Sequence, residues 1–310
     1  MNYSIGIDIG GTKVNIGIVD QSGNIKDKVK IPTQTQVGAE DNIRNICENV
    51  KKILYQNSIT LDQIHFVGVG VPGTVDINTG FIEYCPNLRW ENVPGQEIFL
   101  RYLGRQVKIV QDSRAATLAE HTFGAGRGFS DMVCITLGTG IGCGIIINNK
   151  LFHGGMNTAG EAGHTVVVKG GRLCSCGNRG CLERYSSGSG ILEQALERFP
   201  EKFEGREKSS EYIFKIAKEG DAQALQLIRE SVEYLALGIA NLVGILSPQA
   251  VVISGGMCVH EDLIIDPLRE LVNKYGYFSW TRKNQLKIMK AELGSDAPMI
   301  GAASLYRALE

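Results

Sequence analysis

Two segments of this chain open in step. Ile5-Gly-Ile-Asp-Ile-Gly-Gly-Thr12 and Val133-Cys-Ile-Thr-Leu-Gly-Thr-Gly140 each run an apolar stretch into a glycine-rich turn at the same position. Both then continue apolar, through residues 14–19 and 141–147. Apolar stretch, glycine turn and second apolar stretch is the pattern of a β-hairpin. Its recurrence describes two similar α/β lobes, each opening with a hairpin whose glycine turn points into a shared cleft.

The rest of the chain alternates strand and helix signals. Residues 38–56 space Ile43, Ile46, Val50, Ile53 and Leu54 at helical intervals. Residues 65–71 read as a buried strand ending at Pro72-Gly73, and residues 108–110 as a short strand. A helix is expected from Ser113, a good N-cap residue, through Glu120. Residues 152–184 are loop-rich. Helices follow at 188–199, 209–218 and 221–246, the last stopped by Pro248. A strand at 250–253, a helix at 262–275, a strand at 285–289 and a closing helix at 301–309 complete an α/β pattern.

Composition removes several classes. With 43% hydrophobic residues the chain can bury a full core, so global disorder is excluded. The 32 Lys and Arg nearly cancel 33 Asp and Glu, which leaves no basic stripe for a nucleic-acid backbone. Two uncharged runs, 132–149 and 234–260, are interrupted by four glycines and by Asn241, Pro248 and Gly255-Gly256, so neither reads as a membrane span. No basic segment leads into an apolar run at the N-terminus, so a cytoplasmic protein with reduced thiols or bound metal is expected. Of eight cysteines, Cys47, Cys85, Cys134, Cys143 and Cys258 are scattered among apolar residues and read as core.

Four places carry chemistry. In Asp8-Ile-Gly-Gly-Thr-Lys13, Gly10 and Gly11 let backbone amides approach an anion, Thr12 can donate to a phosphate oxygen, and Asp8 can hold Mg²⁺ through water. A plain hairpin turn is the alternative. The second turn, Gly138-Thr139-Gly140, lacks both the P-loop and the Rossmann spacing, and the third, Ser254-Gly255-Gly256, follows an apolar strand. Asp112 stands where a buried strand meets a helix; it is either a base for a substrate hydroxyl or an ordinary first-turn acid. Finally, Gly160-Glu161-Ala-Gly-His164 precedes Cys174-Ser-Cys176-Gly-Asn-Arg-Gly-Cys181-Leu-Glu183. One His and three thiols make a closed four-ligand zinc set, with uncoordinated thiols as the alternative; a closed set favours a structural ion.

From end to end the chain resembles the ROK family (repressors, open reading frames, kinases), on its sugar-kinase side. Asp8–Lys13 resembles the family's phosphate motif DxGGTK. Gly68-Val-Gly-Val-Pro-Gly73 and Pro86-Asn87-Leu88 resemble its sugar-pocket segments. Glu161–His164 resembles ExGH, and residues 174–183 resemble CxCGxxGCxE. Ser254-Gly255-Gly256 and Ala297-Pro-Met-Ile-Gly-Ala302 fit its adenosine-side segments. The resemblance implies an α/β fold of the actin-like, hexokinase type (ribonuclease H-like), with two lobes around a central cleft: residues 1–112 with 298–310, and 113–297. It implies a kinase for the 6-hydroxyl of a hexose, glucose first, and a homodimer. Phosphates would lie at Asp8, Gly10, Gly11, Thr12, Lys13, Gly138, Thr139 and Gly140, with Gly255 and Gly256 beside adenosine. The sugar would meet Gly73, Asn87, Asp112, Glu161, His164 and Glu183, with Asp112 as base. ATP, Mg²⁺ and a structural Zn²⁺ on His164, Cys174, Cys176 and Cys181 are implied. The family's repressors carry a helix-turn-helix ahead of the first strand; with a strand expected to start by residue 3 or 4, none is expected here. One place departs from the pattern: Gln111-Asp112-Ser113-Arg114 stands where the family usually has Asn-Asp, a small residue and Asn, and Arg114 reads either as a new cation near the cleft or as a first-turn residue.

Overall fold

The computed structural model describes residues 3–277 and 285–308. The first glycine turn joins β1 (Tyr3–Ile9) to β2 (Lys13–Val19) as an antiparallel hairpin, in register from Ser4 opposite Val19 to Ile9 opposite Val14. A strand not foreseen, β3 (Ile25–Pro32), extends it on the outer side. Its exposed Lys26, Lys28 and Lys30 and terminal Pro32 suit a sheet edge and hide the strand from an apolar scan. Helix α1 (Ala39–Gln56) buries the expected stripe of Ile43, Ile46, Val50, Ile53 and Leu54. The chain then enters β4 (Ile64–Val71), parallel to β1. A small antiparallel sheet of β5 (Thr74–Asp76), β6 (Phe81–Cys85) and β7 (Trp90–Val93), also unforeseen, leads through α2 (Gly95–Leu103) to β8 (Lys108–Gln111). The main sheet has the order β3-β2-β1-β4-β8.

Helix α3 (Asp112–Phe123) corrects one expectation. It begins at Asp112 directly from β8, with Gln111 in the N-cap position, and runs past Glu120. Ser113 lies buried inside the first turn rather than capping it. The strand passes into the helix without a loop residue, so tertiary placement overrides the local preference of serine for the cap.

The second glycine turn joins β9 (Met132–Leu137) to β10 (Ile141–Ile147), which runs on to pair with β11 (Lys150–Leu151). The chain falls into two units: Met1–Ser130, Gly144–Ala159 and Glu292–Glu310 form the first, Asp131–Cys143 and Gly160–Ala291 the second. The second contains α4 (Glu183–Ser186), α5 (Gly188–Arg198), α6 (Ser210–Lys218) and α7 (Ala222–Leu246). Ser187, Ser209 and Asp221 cap the last three by accepting the N–H of Gly190, Tyr212 and Ala224. There β12 (Ala250–Ser254) follows Pro248, and α8 (Ile265–Tyr275) starts three residues later than expected. Strand β12 lies between β9 and β13 (Lys287–Lys290), parallel to both.

Helix α9 (Ala297–Ala303) starts four residues before the expected 301, with Pro298 in its first turn, and Leu309 lies outside the described residues. It belongs to the first unit and packs on β1, β4 and α3. The approach is backbone to backbone: a methyl group on Gly301 would collide with the Ala115 carbonyl, and one on Gly6 or Gly68 with carbonyls of α9. Among the described residues no helix is long and apolar enough to cross a membrane.

Candidate active site

Because β1, β4 and β8 are parallel, the residues that follow them emerge at one edge of the first sheet. These are Gly10, the Pro72-Gly73 pair and Asp112. Ligands of open α/β sheets bind outside such carboxyl ends. The glycine turn is held from within. Gly10 N–H donates to the Lys13 carbonyl at 2.9 Å, Thr33 Oγ1 donates to the Gly10 carbonyl at 2.7 Å, and Thr33 N–H to the Thr12 carbonyl at 3.0 Å. Thr12 and Lys13 are exposed, and Asn87 lies close: a β-carbon on Gly11 would sit 3.5 Å from Asn87 Cβ. Asp8 faces Asn15 across the hairpin and accepts its Nδ2–H at 2.9 Å. Burial pushes the Asp8 carboxyl up to about 6, against the opposing pull of that hydrogen bond and the Lys13 charge. Asp112 Oδ1 accepts the N–H of Ser113 at 2.6 Å. Gly73 is pressed against the end of β6, where the Cys85 thiol donates to the Pro72 carbonyl at 3.2 Å. Burial holds that thiol up at about 12, and the Asp112 charge adds to the effect, so it stays protonated.

In the second unit the parallel pair β9 and β12 delivers Gly138 and Gly255 to one edge, and Gly255 rests on the Leu137 carbonyl. The start of α5 grips the turn: Gly188 N–H donates to the Gly138 carbonyl at 2.8 Å and Ser189 N–H to the Thr139 carbonyl at 3.2 Å. Glu183 Oε2 accepts the Ile141 N–H at 2.9 Å and occupies the space a side chain on Gly140 would need. Gly163, between Glu161 and His164 in a single 3-10 turn, packs on the Ile141 carbonyl. The structure therefore gathers Gly140, Glu183 and the Glu161–His164 segment around Ile141, whereas the sequence assigned them to separate phosphate and sugar sets.

The four metal-ligand candidates also converge. One ligand atom each from His164, Cys174, Cys176 and Cys181 lies within 4.8 Å of the other three. Cys174 Sγ is 3.6 Å from His164 Nδ1, and the Cys176 and Cys181 sulfurs are 3.6 Å apart. That is too long for a disulfide, about 2 Å. It matches the roughly 3.5–3.8 Å between tetrahedral corners whose ligands lie 2.0–2.3 Å from zinc. Backbone bonds fold the loop: Cys174 N–H donates to the Asn178 carbonyl at 2.8 Å and Gly177 N–H to the Cys174 carbonyl at 3.0 Å. Gly180, at φ 85°, passes so close to the Val168 carbonyl that no β-carbon fits. The residues present fit a closed zinc site.

Sequence reading missed three supports. Asn15 is the polar residue within the apolar run 14–19, opposite Asp8 in the hairpin, a signal available from alternation alone. Thr33 and Ile141 act through backbone geometry that composition does not reveal. The Ala297–Ala302 segment is buried packing in the first unit.

Over residues 4–308 the chain matches the model of the ROK family. It is 34% identical over 325 residues to a glucokinase of Streptomyces coelicolor, covering 99% of this chain and 98% of that one. It is 31% identical over 309 residues to a xylose repressor of Caldicellulosiruptor bescii, covering 97% of this chain and 77% of the repressor. Among solved structures it is similar to a ROK family glucokinase from Streptomyces griseus in complex with glucose and AMPPNP, at a TM-score of 0.84 and 33% identity, covering 98% and 99% of the two chains. The actin-like, hexokinase-type α/β fold expected from the sequence is thus the fold of this chain. A match that runs from residue 4 to residue 308 makes the chain a member of the ROK family.

Proposed function

We propose that this protein transfers the γ-phosphoryl group of ATP to the 6-hydroxyl of a hexose, with glucose the first candidate. The observation that carries this reading is the shared edge of the first sheet, where parallel strands gather the Gly10-Gly11-Thr12 turn and Asp112, with Asn87 beside Gly11. Near full-length similarity to a glucokinase supports it.

Asp112 takes the proton of the 6-hydroxyl while the O6–P bond forms and the bond from phosphorus to the β-phosphate oxygen breaks, releasing ADP. Amides at Gly10–Thr12 and Gly138–Gly140 hold the phosphates, with the Thr12 hydroxyl and Lys13 charge beside them; Gly255 and Gly256 take the adenosine side. The sugar-binding roles fall to Asn87, Glu161, His164, Glu183 and the Gly73 backbone. Mg²⁺ carried with ATP would neutralise charge on the transferred group, and the desolvated Asp8 carboxyl suits a cation held through water. Zinc on His164, Cys174, Cys176 and Cys181 would fix the sugar loop, leaving His164 Nε2 to meet a hydroxyl.

A second reading, a sugar sensor without turnover, is favoured by the xylose repressor relative. Coupled ADP release with Mg-ATP against glucose, fructose, allose, N-acetylglucosamine and N-acetylmannosamine separates the two. The kinase reading expects one sugar turned over at about 1–100 s⁻¹. Sugar binding with no ADP above the sugar-free blank would favour the sensor.

A further inference from the structure

Arg114 follows Asp112 by two residues in the first turn of α3, and it is only 3% exposed. A cation there opposes the positive end of the helix dipole, and a guanidinium stays charged, so its burial requires acceptors. One segment supplies four. Nη2 donates to the carbonyls of Asn157 and Ala159, both at 2.8 Å. Nη1 donates to Asn157 Oδ1 at 3.2 Å and to His153 Nδ1 at 3.3 Å. A guanidinium only donates, so His153 accepts at Nδ1 and its proton sits on Nε2. Burial, then the Arg114 charge, holds His153 down at about 4, so the ring is neutral at pH 7. Asn157 in turn donates Nδ2–H to the Val75 carbonyl of β5 at 2.6 Å. Gly73 immediately precedes that strand, and Glu161 lies two residues beyond Ala159.

We propose that Arg114 is a positioning residue for the sugar. It ties residues 153–159 to the helix that starts at Asp112 and to β5, and so fixes the backbone that leads into Glu161. The inference rests on the reading of Asp112 and Glu161 as sugar-binding residues.

Sugar affinity by calorimetry without ATP tests it, using the sugar the wild type binds. Replacing one charged hydrogen-bonding group weakens binding by about tenfold or more, so Arg114→Gln should raise the sugar Kd by that factor while the KM for ATP stays within about twofold. Arg114→Lys should recover part of the loss. Histidine NMR reads the clamp itself: in Arg114→Gln the His153 ring should titrate upward toward the ordinary range. A sugar Kd unchanged in Arg114→Gln, with the His153 titration moved, overturns the proposal. Should Arg114→Gln not fold, Asn157→Gly decides: it keeps the left-handed backbone at φ 58° and removes the side chain's links. A sugar Kd raised about threefold supports the proposal, and an unchanged Kd overturns it. A wild type that binds sugar but releases no ADP refutes the kinase reading and leaves this comparison decisive. A wild type that binds no sugar overturns both.

Discussion

Asp112→Asn isolates the proposed base. The amide preserves shape and still offers Oδ1 to the Ser113 N–H, a 2.6 Å bond in the wild type. The start of α3 therefore stays in place. A neutral acceptor holds that N–H less strongly than a carboxylate, a stability loss of about 1 kcal/mol. What disappears is the oxygen that can accept the sugar proton. Loss of such a group lowers rate by about 10² to 10⁴, or about 3–5 kcal/mol in the barrier. The effect should fall on kcat, because proton transfer belongs to the transition state more than to sugar binding. The assay is coupled ADP release at saturating sugar and ATP, with melting temperature and sugar Kd measured on the same sample. A variant folded like the wild type, binding both substrates, with kcat within tenfold, would refute the assignment of Asp112.

Other outcomes follow from the same geometry. Elemental analysis should find close to one zinc per chain in the wild type and almost none in Cys176→Ser, whose residues 165–182 should be cut faster by protease; wild type purified without chelator and free of zinc contradicts the site. Asp8 titrates at about 6 folded against an ordinary 3.8, so the fold favours its protonated form. Stability from this group is therefore full at low pH and is lost as pH rises from about 4 to 6, by at most about 2–3 kcal/mol, while Mg-ATP use rises over the same window. Urea melts at both ends should show this slope in the wild type and not in Asp8→Asn; equal slopes contradict it. Glu120 is fully buried and accepts the N–H groups of Ala125, Glu292 and Leu293 at 3.0, 3.1 and 2.8 Å. Glu120→Ala leaves them without that acceptor and should cost about 3–5 kcal/mol in urea unfolding, and a loss under 1 kcal/mol would contradict that account.

Local pattern accounts for much of this fold. Apolar stretches located β1, β2, β4, β9, β10 and β12, and helical spacing located α1; the helices expected at 209–218 and 221–246 are α6 and α7, whose caps Ser209 and Asp221 only the structure shows. What escaped had no such pattern. Strand β3 alternates lysines with half-buried residues, and β5, β6 and β7 are three to five residues long, with Glu83, Tyr84 and Glu91 exposed. Ser113 lost the cap to a strand that runs directly into its helix. At the candidate site, spacing brought the four ligand residues together on paper because they lie close in sequence. The meeting of Glu183 with Ile141 and of Arg114 with residues 153–159 spans about forty residues each, and no periodicity encodes it. Between its two sequence readings, a cation near the cleft or a first-turn residue, Arg114 does lie in the first turn of α3, but only the structure shows it buried on acceptors from residues 153–159.

The most direct test of phosphoryl transfer to the 6-hydroxyl is the position of the new phosphate. Wild-type protein is incubated with Mg-ATP and glucose labelled with ¹³C at C6, and the product is read by ³¹P and ¹³C NMR, with 6-deoxyglucose as control. The account predicts phosphorus coupled to the labelled carbon, one ADP per product, and no ADP above blank with 6-deoxyglucose. Phosphate on another carbon, or equal ADP release from 6-deoxyglucose, would contradict it.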